Sequence, residues 1–119
     1  MIGSVGIKPG VEFKVIAPGG FVILAAIAAA AKKLGCNLTI TSACDGTHSG
    51  PEDPHFRGEA YDVRTHDVPD KYQLLSTIHE NLDPEHFFAF LEDPGGENEH
   101  IHAQVKKGTV YPPPQVMTA

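Results

Sequence analysis

The feature that most constrains this fold is the apolar, alanine-rich segment from Phe21 to Ala31. The segment contains no charged residue, but it is only about half as long as the ~20 residues that a membrane-spanning helix needs. Lys32, Lys33 and Gly35 follow it in the order typical of a helix C-terminus. We therefore predict a buried helix over about 21–34 that packs closely on a sheet, and we expect neither a membrane span nor a signal peptide here.

Alternation of apolar and polar side chains predicts the strands of that sheet. Asn37 to Ala43 alternates apolar with hydroxyl residues, as a half-buried strand does. Further patterns predict strands over 59–64, 86–91 and 100–105, the last two joined in a hairpin by Asp93-Pro94-Gly95-Gly96, and a second helix over about 69–81. The sequence thus predicts an α+β fold, a single small domain with an antiparallel sheet and helices packed on one side.

Length, charge and cysteine content narrow the class of protein. A chain of 119 residues with 41% apolar residues forms one modest core, so we predict one domain over 1–110 and a proline-rich tail over 111–119. The net charge of −6 argues against nucleic acid and anionic membranes as partners. Cys36 and Cys44 lack the spacing of a structural zinc site, and we predict free thiols. We expect a monomer.

Two short motifs supply metal-binding side chains. His55 and Asp62 flank a segment that contains Gly58, and His100 and His102 are separated by one residue. Residues two apart in a strand face the same side, so both imidazoles of the second motif project together. Gly58 lets the first motif fold back and bring His55 beside Asp62. Because a catalytic zinc needs three protein ligands and one open position for water, two imidazoles and a carboxylate predict a zinc site.

The two motifs together resemble the zinc D-Ala-D-Ala carboxypeptidase superfamily, which includes phage endolysins and the hedgehog signalling domain. The resemblance rests on His55 to Asp62, with Gly58 inside it, followed by His100-Ile101-His102 in a strand, and it covers about Leu38 to Lys106. The likeness is strongest to the hedgehog version of the fold. It implies a hedgehog/DD-peptidase-like domain that binds Zn²⁺ and hydrolyses peptide bonds in peptidoglycan-type peptides.

The resemblance also implies a role for each site residue. The zinc ligands would be His55, Asp62 and His102. His100 would stabilise the oxyanion without binding the metal, and Glu99, three positions before the last ligand, would be the general base. Zinc would activate a water molecule, Glu99 would accept its proton, and the hydroxide would attack a peptide carbonyl.

Spacing alone leaves a competing assignment open. His100 could be the ligand with Glu97 as the base, because Glu97 also lies three residues before a histidine. Strand alternation further points Glu99 away from His102, unless the Gly95-Gly96 loop makes the backbone irregular there.

The substrate and two other functions are also open. Peptidases of this family commonly carry a carboxylate-binding arginine in the turn that here reads Ser42 to Gly46, where this chain has none. Arg57 or Arg64 could take that role. The resemblance allows a phage-encoded protein or one that acts at the bacterial cell envelope. The alternatives are a non-catalytic zinc-binding module of the hedgehog type and a phage or envelope structural component with a vestigial site.

Two further residues near the motifs, His48 and Cys44, could in principle bind a metal. We expect His48 to be a solvated loop histidine and Cys44 to be a small buried spacer, rather than metal ligands.

Overall fold

Five strands and two helices make up the computed structural model, which describes residues 3–45 and 53–113. The fold is α+β, as predicted. In chain order the elements are β1 (Ser4–Ile7), α1 (Pro18–Leu34), β2 (Asn37–Ser42), β3 (Ala60–Arg64), α2 (Lys71–Glu80), β4 (Phe87–Glu92) and β5 (His100–Val105).

The sheet is mixed, so the prediction of a purely antiparallel sheet is wrong. Its strand order is β1-β2-β3-β5-β4, and β1 runs parallel to β2 while the other neighbours are antiparallel. A parallel pair needs a crossover connection, and α1 provides it between β1 and β2. The strand β1 was not predicted because it is short, contains Gly6, and has only Val5 partly buried.

Helix α1 ends where the sequence indicated. Gly35 has a φ of 63°, and its N–H bonds to the carbonyls of Ala31 and Lys32, which is the left-handed cap that glycine accommodates without strain. The helix begins earlier than predicted, at Pro18, because proline fits the first helical turn, where a backbone N–H has no partner inside the helix. None of the described helices is long and apolar enough to cross a membrane.

One hydrophobic core joins both helices to the same face of the sheet. Alternate residues of each strand point into this core and the others point away from it. The core residues that define the inner face are Tyr61, Val63, Ile101 and Ala103 from the strands, Ile23 and Ile27 from α1, and Leu74 and Ile78 from α2. The opposite face is free to carry polar side chains.

Tyr111 packs against the domain beyond the predicted boundary at residue 110. Its ring lies 5.0 Å from the ring of Phe87 and 5.8 Å from that of His86, measured between centroids. Ordered contacts therefore extend into the first residues of the predicted tail, while residues 114–119 lie outside the described part of the chain.

Candidate metal centre

The pairing of β3, β5 and β4 arranges polar side chains in rows on the face away from the helices. Asp62 pairs directly with His102 across β3 and β5, and Arg64 pairs with His100. On the other side of β5, the partners of His102 and His100 come from β4. Two adjacent rows result: Asp62, His102 and Phe90 in one, and Arg64, His100 and Glu92 in the other.

A β-bulge lies beside Asp62. Between β2 and β3 the pairing steps from Ile40 with Val63 to Ser42 with Asp62, so Thr41 is an extra residue on β2. The Thr41 hydroxyl donates to the carbonyl of Asp62 at 3.5 Å. Bulges bend and twist a strand and are frequent next to functional sites.

His55 reaches the sheet from the loop before β3. Only 6% of the residue is exposed, and its Nδ1–H donates to the carbonyl of Ala43 at 2.8 Å. This bond leaves Nε2 directed toward Asp62, whose Oδ1 lies 3.5 Å away. The structure therefore brings His55 beside Asp62, as the motif predicted.

Gly58 allows this approach for a different reason from the one predicted. Its φ is 71°, and a Cβ there would lie 2.4 Å from the carbonyl oxygen of Val15. The Gly58 carbonyl accepts hydrogen bonds from the Tyr61 hydroxyl at 3.1 Å and from the Ala17 N–H at 3.2 Å. Glycine is thus needed where the loop packs against the segment before α1.

His102 is held in place by its neighbours on the same face. Its Nδ1 lies 2.9 Å from Asp62 Oδ1, and its Nε2–H donates to Gln104 Oε1 at 2.7 Å. The amide of Gln104 is fixed in turn, because its Nε2 donates to the carbonyl of Val105 at 3.0 Å. Each imidazole of the group therefore has one nitrogen bonded to an acceptor and the other directed at Asp62, an arrangement that orients metal-binding histidines.

The three side chains fit a metal ion. One ligand atom from each of His55, Asp62 and His102 lies within 4.8 Å of the others. In a tetrahedral site with metal bonds of about 2.0–2.2 Å, ligand atoms lie roughly 3.3–3.6 Å apart. The 3.5 Å between His55 and Asp62 matches this spacing, and the 2.9 Å between His102 and Asp62 needs a small widening.

The protonation of the group without metal follows from the same contacts. Burial raises the pKa of Asp62, but hydrogen bonds from His102 and His55 outweigh it and hold that pKa well below its usual range. Burial lowers the pKa of each histidine, and the bonds to Asp62 outweigh it and raise both values. The carboxylate thus stays charged, and the raised pKa values favour the protonated form of both imidazoles.

His100 lies beside this group and not in it. Its Nε2 is 3.6 Å from Asp62 Oδ2 and 3.5 Å from Glu92 Oε1, while its Nδ1–H donates to the carbonyl of Asn98 at 2.6 Å. Among the described residues, the grouping with His55 and Asp62 contains His102, as the resemblance implied, and not His100.

Glu99 lies outside the group formed by His55, Asp62 and His102, called the metal group below, although it lines a cleft that Asp62 also lines. Its carboxylate accepts hydrogen bonds from the Gly95 N–H at 2.7 Å, from Lys71 Nζ at 2.7 Å and from the Thr65 hydroxyl at 2.6 Å. The Gly95, Lys71 and Thr65 bonds lower the pKa of Glu99 to about 2. Glu99 precedes the first residue of β5, and these three bonds fix the direction of its side chain. Its role as general base stays a prediction.

Two clefts meet at Asp62 and His100. One has a volume of about 360 Å³ and is lined by the metal group together with Phe90, Glu92 and Lys107. The other has a volume of about 340 Å³ and is lined by Lys8, Arg64, His66, Glu97 and Glu99 among others. Of the two candidate arginines, Arg64 lines a cleft, whereas Arg57 forms an ion pair with Glu59 at 3.0 Å.

Three contributors to the site were not predicted. Gln104 lies two residues after His102, so strand alternation could have placed it on the same face. Glu92 could have been found only from the register of the β4–β5 hairpin. The Ala43 carbonyl gives no sequence signal, because any residue supplies one.

The two cysteines and His48 were the other residues considered near the motifs. Cys44 is a free, buried thiol whose Sγ–H donates to the Val15 carbonyl at 3.5 Å, and Cys36 is also free, as predicted. His48 lies outside the described residues.

Comparison of the chain with protein-family models, with curated proteins and with solved structures found no match. The resemblance to zinc D-Ala-D-Ala carboxypeptidases therefore stays a prediction that rests on the two motifs.

Proposed function

We propose that this protein is a zinc-dependent peptidase that hydrolyses peptide bonds in peptidoglycan-type peptides. The observation that carries the proposal is the convergence of His55, Asp62 and His102 on one point. The far nitrogen of each imidazole already bonds to an acceptor, Ala43 in one case and Gln104 in the other. Two imidazoles and one carboxylate are a donor set of hydrolytic zinc sites, since a further position remains for water.

Zinc and two neighbouring side chains would each have a role in the proposed hydrolysis. Zinc bound here would lower the pKa of a water molecule toward about 7 and polarise a carbonyl. In this proposal His100, at the edge of the same cleft, would donate a hydrogen bond through Nε2, the ring nitrogen not bonded to Asn98, to the oxyanion that develops on the carbonyl. Phe90, whose ring centroid is 5.3 Å from that of His102, provides an apolar wall for the substrate.

The test combines metal content with peptide cleavage. Elemental analysis measures zinc in the purified protein, and mass spectrometry follows cleavage of muropeptides. We expect His102→Ala to lose both zinc and cleavage. The matched control is His79→Gln, because His79 donates to the Ala89 carbonyl at 2.6 Å and takes no part in the metal group. Full cleavage by His102→Ala would refute the proposal.

A second candidate is a zinc-stabilised binding module without turnover. The observation that favours it is the engagement of the Glu99 carboxylate by Lys71, Thr65 and Gly95, which occupies the base that the family resemblance implies. This candidate predicts tight zinc binding and a zinc-dependent rise in thermal stability with no hydrolysis. Zinc-dependent cleavage that is lost on removal of zinc would exclude it.

A further inference from the structure

Glu92 is placed next to the metal group by the hairpin register. It pairs with His100 across β4 and β5, one row along from the pair formed by Phe90 and His102. Its Oε1 lies 3.5 Å from His100 Nε2, and the same nitrogen lies 3.6 Å from Asp62 Oδ2. One imidazole nitrogen therefore lies between the carboxylate of the metal group and that of Glu92.

The Glu92 side chain is accessible, whereas the other described acids that line the same cleft accept hydrogen bonds from His55 or His102. The exposed fraction of the Glu92 side chain is 50%, whereas that of the Asp62 side chain is 14%. Of the other described acids that line this cleft, Asp62 belongs to the metal group, and Asp53 accepts a hydrogen bond from the backbone N–H of His55 at 2.9 Å. Glu97 and Glu99 line the other cleft, and Glu99 is held there by Lys71. Glu92 is thus an exposed carboxylate in this cleft, within reach of solvent.

We infer that Glu92 is the general base of the proposed peptidase and returns the same proton to the leaving amine. This inference rests on the proposed function and names a different residue from the one implied by the family resemblance. His100 Nε2 then positions Glu92 until the oxyanion forms.

In the proposed hydrolysis one proton passes from water to the leaving amine through Glu92. Glu92 accepts one proton from the attacking water, and the water oxygen forms a bond to the carbonyl carbon of the peptide. Glu92 then delivers that proton to the amide nitrogen while the carbon–nitrogen bond breaks. The products are a carboxylic acid and an amine, and Glu92 is again a carboxylate.

The experiment compares Glu92→Gln with Glu99→Gln and with Glu80→Gln, an exposed control on α2 whose carboxylate pairs with Lys33. Each zinc-loaded variant is measured for zinc stoichiometry, for kcat and KM on a muropeptide, and for the affinity of acetohydroxamic acid by calorimetry. Glu92→Gln should keep its zinc and its KM while kcat falls by about 10²- to 10⁴-fold. Its affinity for the hydroxamate should fall by about 10- to 100-fold, because a carboxylate that accepts the ligand's proton is lost. Glu80→Gln should match the wild type in all three measurements.

The cleavage assay and the hydroxamate assay together separate failure of this inference from failure of the proposed function. If the zinc-loaded wild type cleaves no peptide, the proposed function fails. An unchanged hydroxamate affinity in Glu92→Gln then overturns the placement of Glu92 beside a metal-bound ligand as well. If the wild type cleaves peptides and Glu92→Gln retains its kcat, only the inference is overturned. Loss of kcat in Glu99→Gln together with full kcat in Glu92→Gln would restore the base implied by the resemblance.

Discussion

Asp62 and His102 are direct partners across β3 and β5, and Asp62 Oδ1 lies 2.9 Å from His102 Nδ1. A cross-strand pair of this kind has its Cβ atoms only about 4.5–5.5 Å apart. The sheet itself therefore holds Asp62 and His102, two of the three candidate metal ligands, in register. The third, His55, arrives from a loop and is fixed by its bond to Ala43. The site is thus built mainly on rigid strands, which favours a preorganised metal centre.

Metal binding should stabilise the fold measurably. Zinc at about 100 times its Kd should add ~2.7 kcal/mol to the free energy of unfolding and raise the Tm by roughly 10 °C, and a chelator should reverse the change. Differential scanning calorimetry with and without zinc measures both effects. Asp62→Asn should abolish the response.

Asp83→Asn is the matched control for this measurement. Asp83, Glu85 and His86 also lie close enough to hold an ion, but they form a more exposed group. We expect the zinc response of Asp83→Asn to equal that of the wild type. A response lost in this variant and kept in Asp62→Asn would move the metal site to the Asp83 turn.

Gln104 should tune the affinity for zinc without binding it. Gln104→Leu removes the acceptor that fixes the tautomer and orientation of His102, so the Kd for zinc should rise by about 10- to 100-fold. Gln104→Glu keeps an acceptor and should retain tight binding. Competition with a chromogenic zinc chelator measures the three Kd values, and equal affinities would show that the bond has no influence on the metal.

Glu99 should make the stability of the metal-free protein sensitive to acid. The pKa of Glu99 is lowered in the folded protein from 4.5 to about 2, so its stabilising contribution is complete above about pH 4.5 and is lost as the pH falls toward 2. Chemical denaturation of wild type and Glu99→Gln across this range should give curves that converge at low pH. Curves that stay parallel would show that its bonds to Lys71, Thr65 and Gly95 contribute nothing.

Gly58→Ala should destabilise the protein more than Gly95→Ala. Both glycines have positive φ values, 71° and 79°, which cost an alanine about 1–2 kcal/mol. A Cβ at Gly58 would also lie 2.4 Å from the Val15 carbonyl oxygen, whereas nothing lies within 4 Å of one at Gly95. Urea denaturation should therefore show a larger loss for Gly58→Ala, and equal losses would mean that the loop moves away from Val15 without cost.

The fold divides into parts that local patterns specify and a part that they do not. The capped helix α1 and strands β2 to β5 follow from hydrophobic periodicity and from Gly35, so their existence could be predicted along the chain. The edge strand β1 could not, because it has only four residues, three of them exposed, and its pairing with β2 depends on how α1 packs.

The sequence by itself determined which chemical groups are present and that His100 and His102 share one face, because side-chain alternation is a property of any strand. Only the tertiary structure decided that His102 joins His55 and Asp62, that Lys71 holds Glu99, and that Glu92 stands beside His100. These contacts join separate segments of the chain. They depend on strand register and loop packing, which the whole core sets and no local pattern encodes.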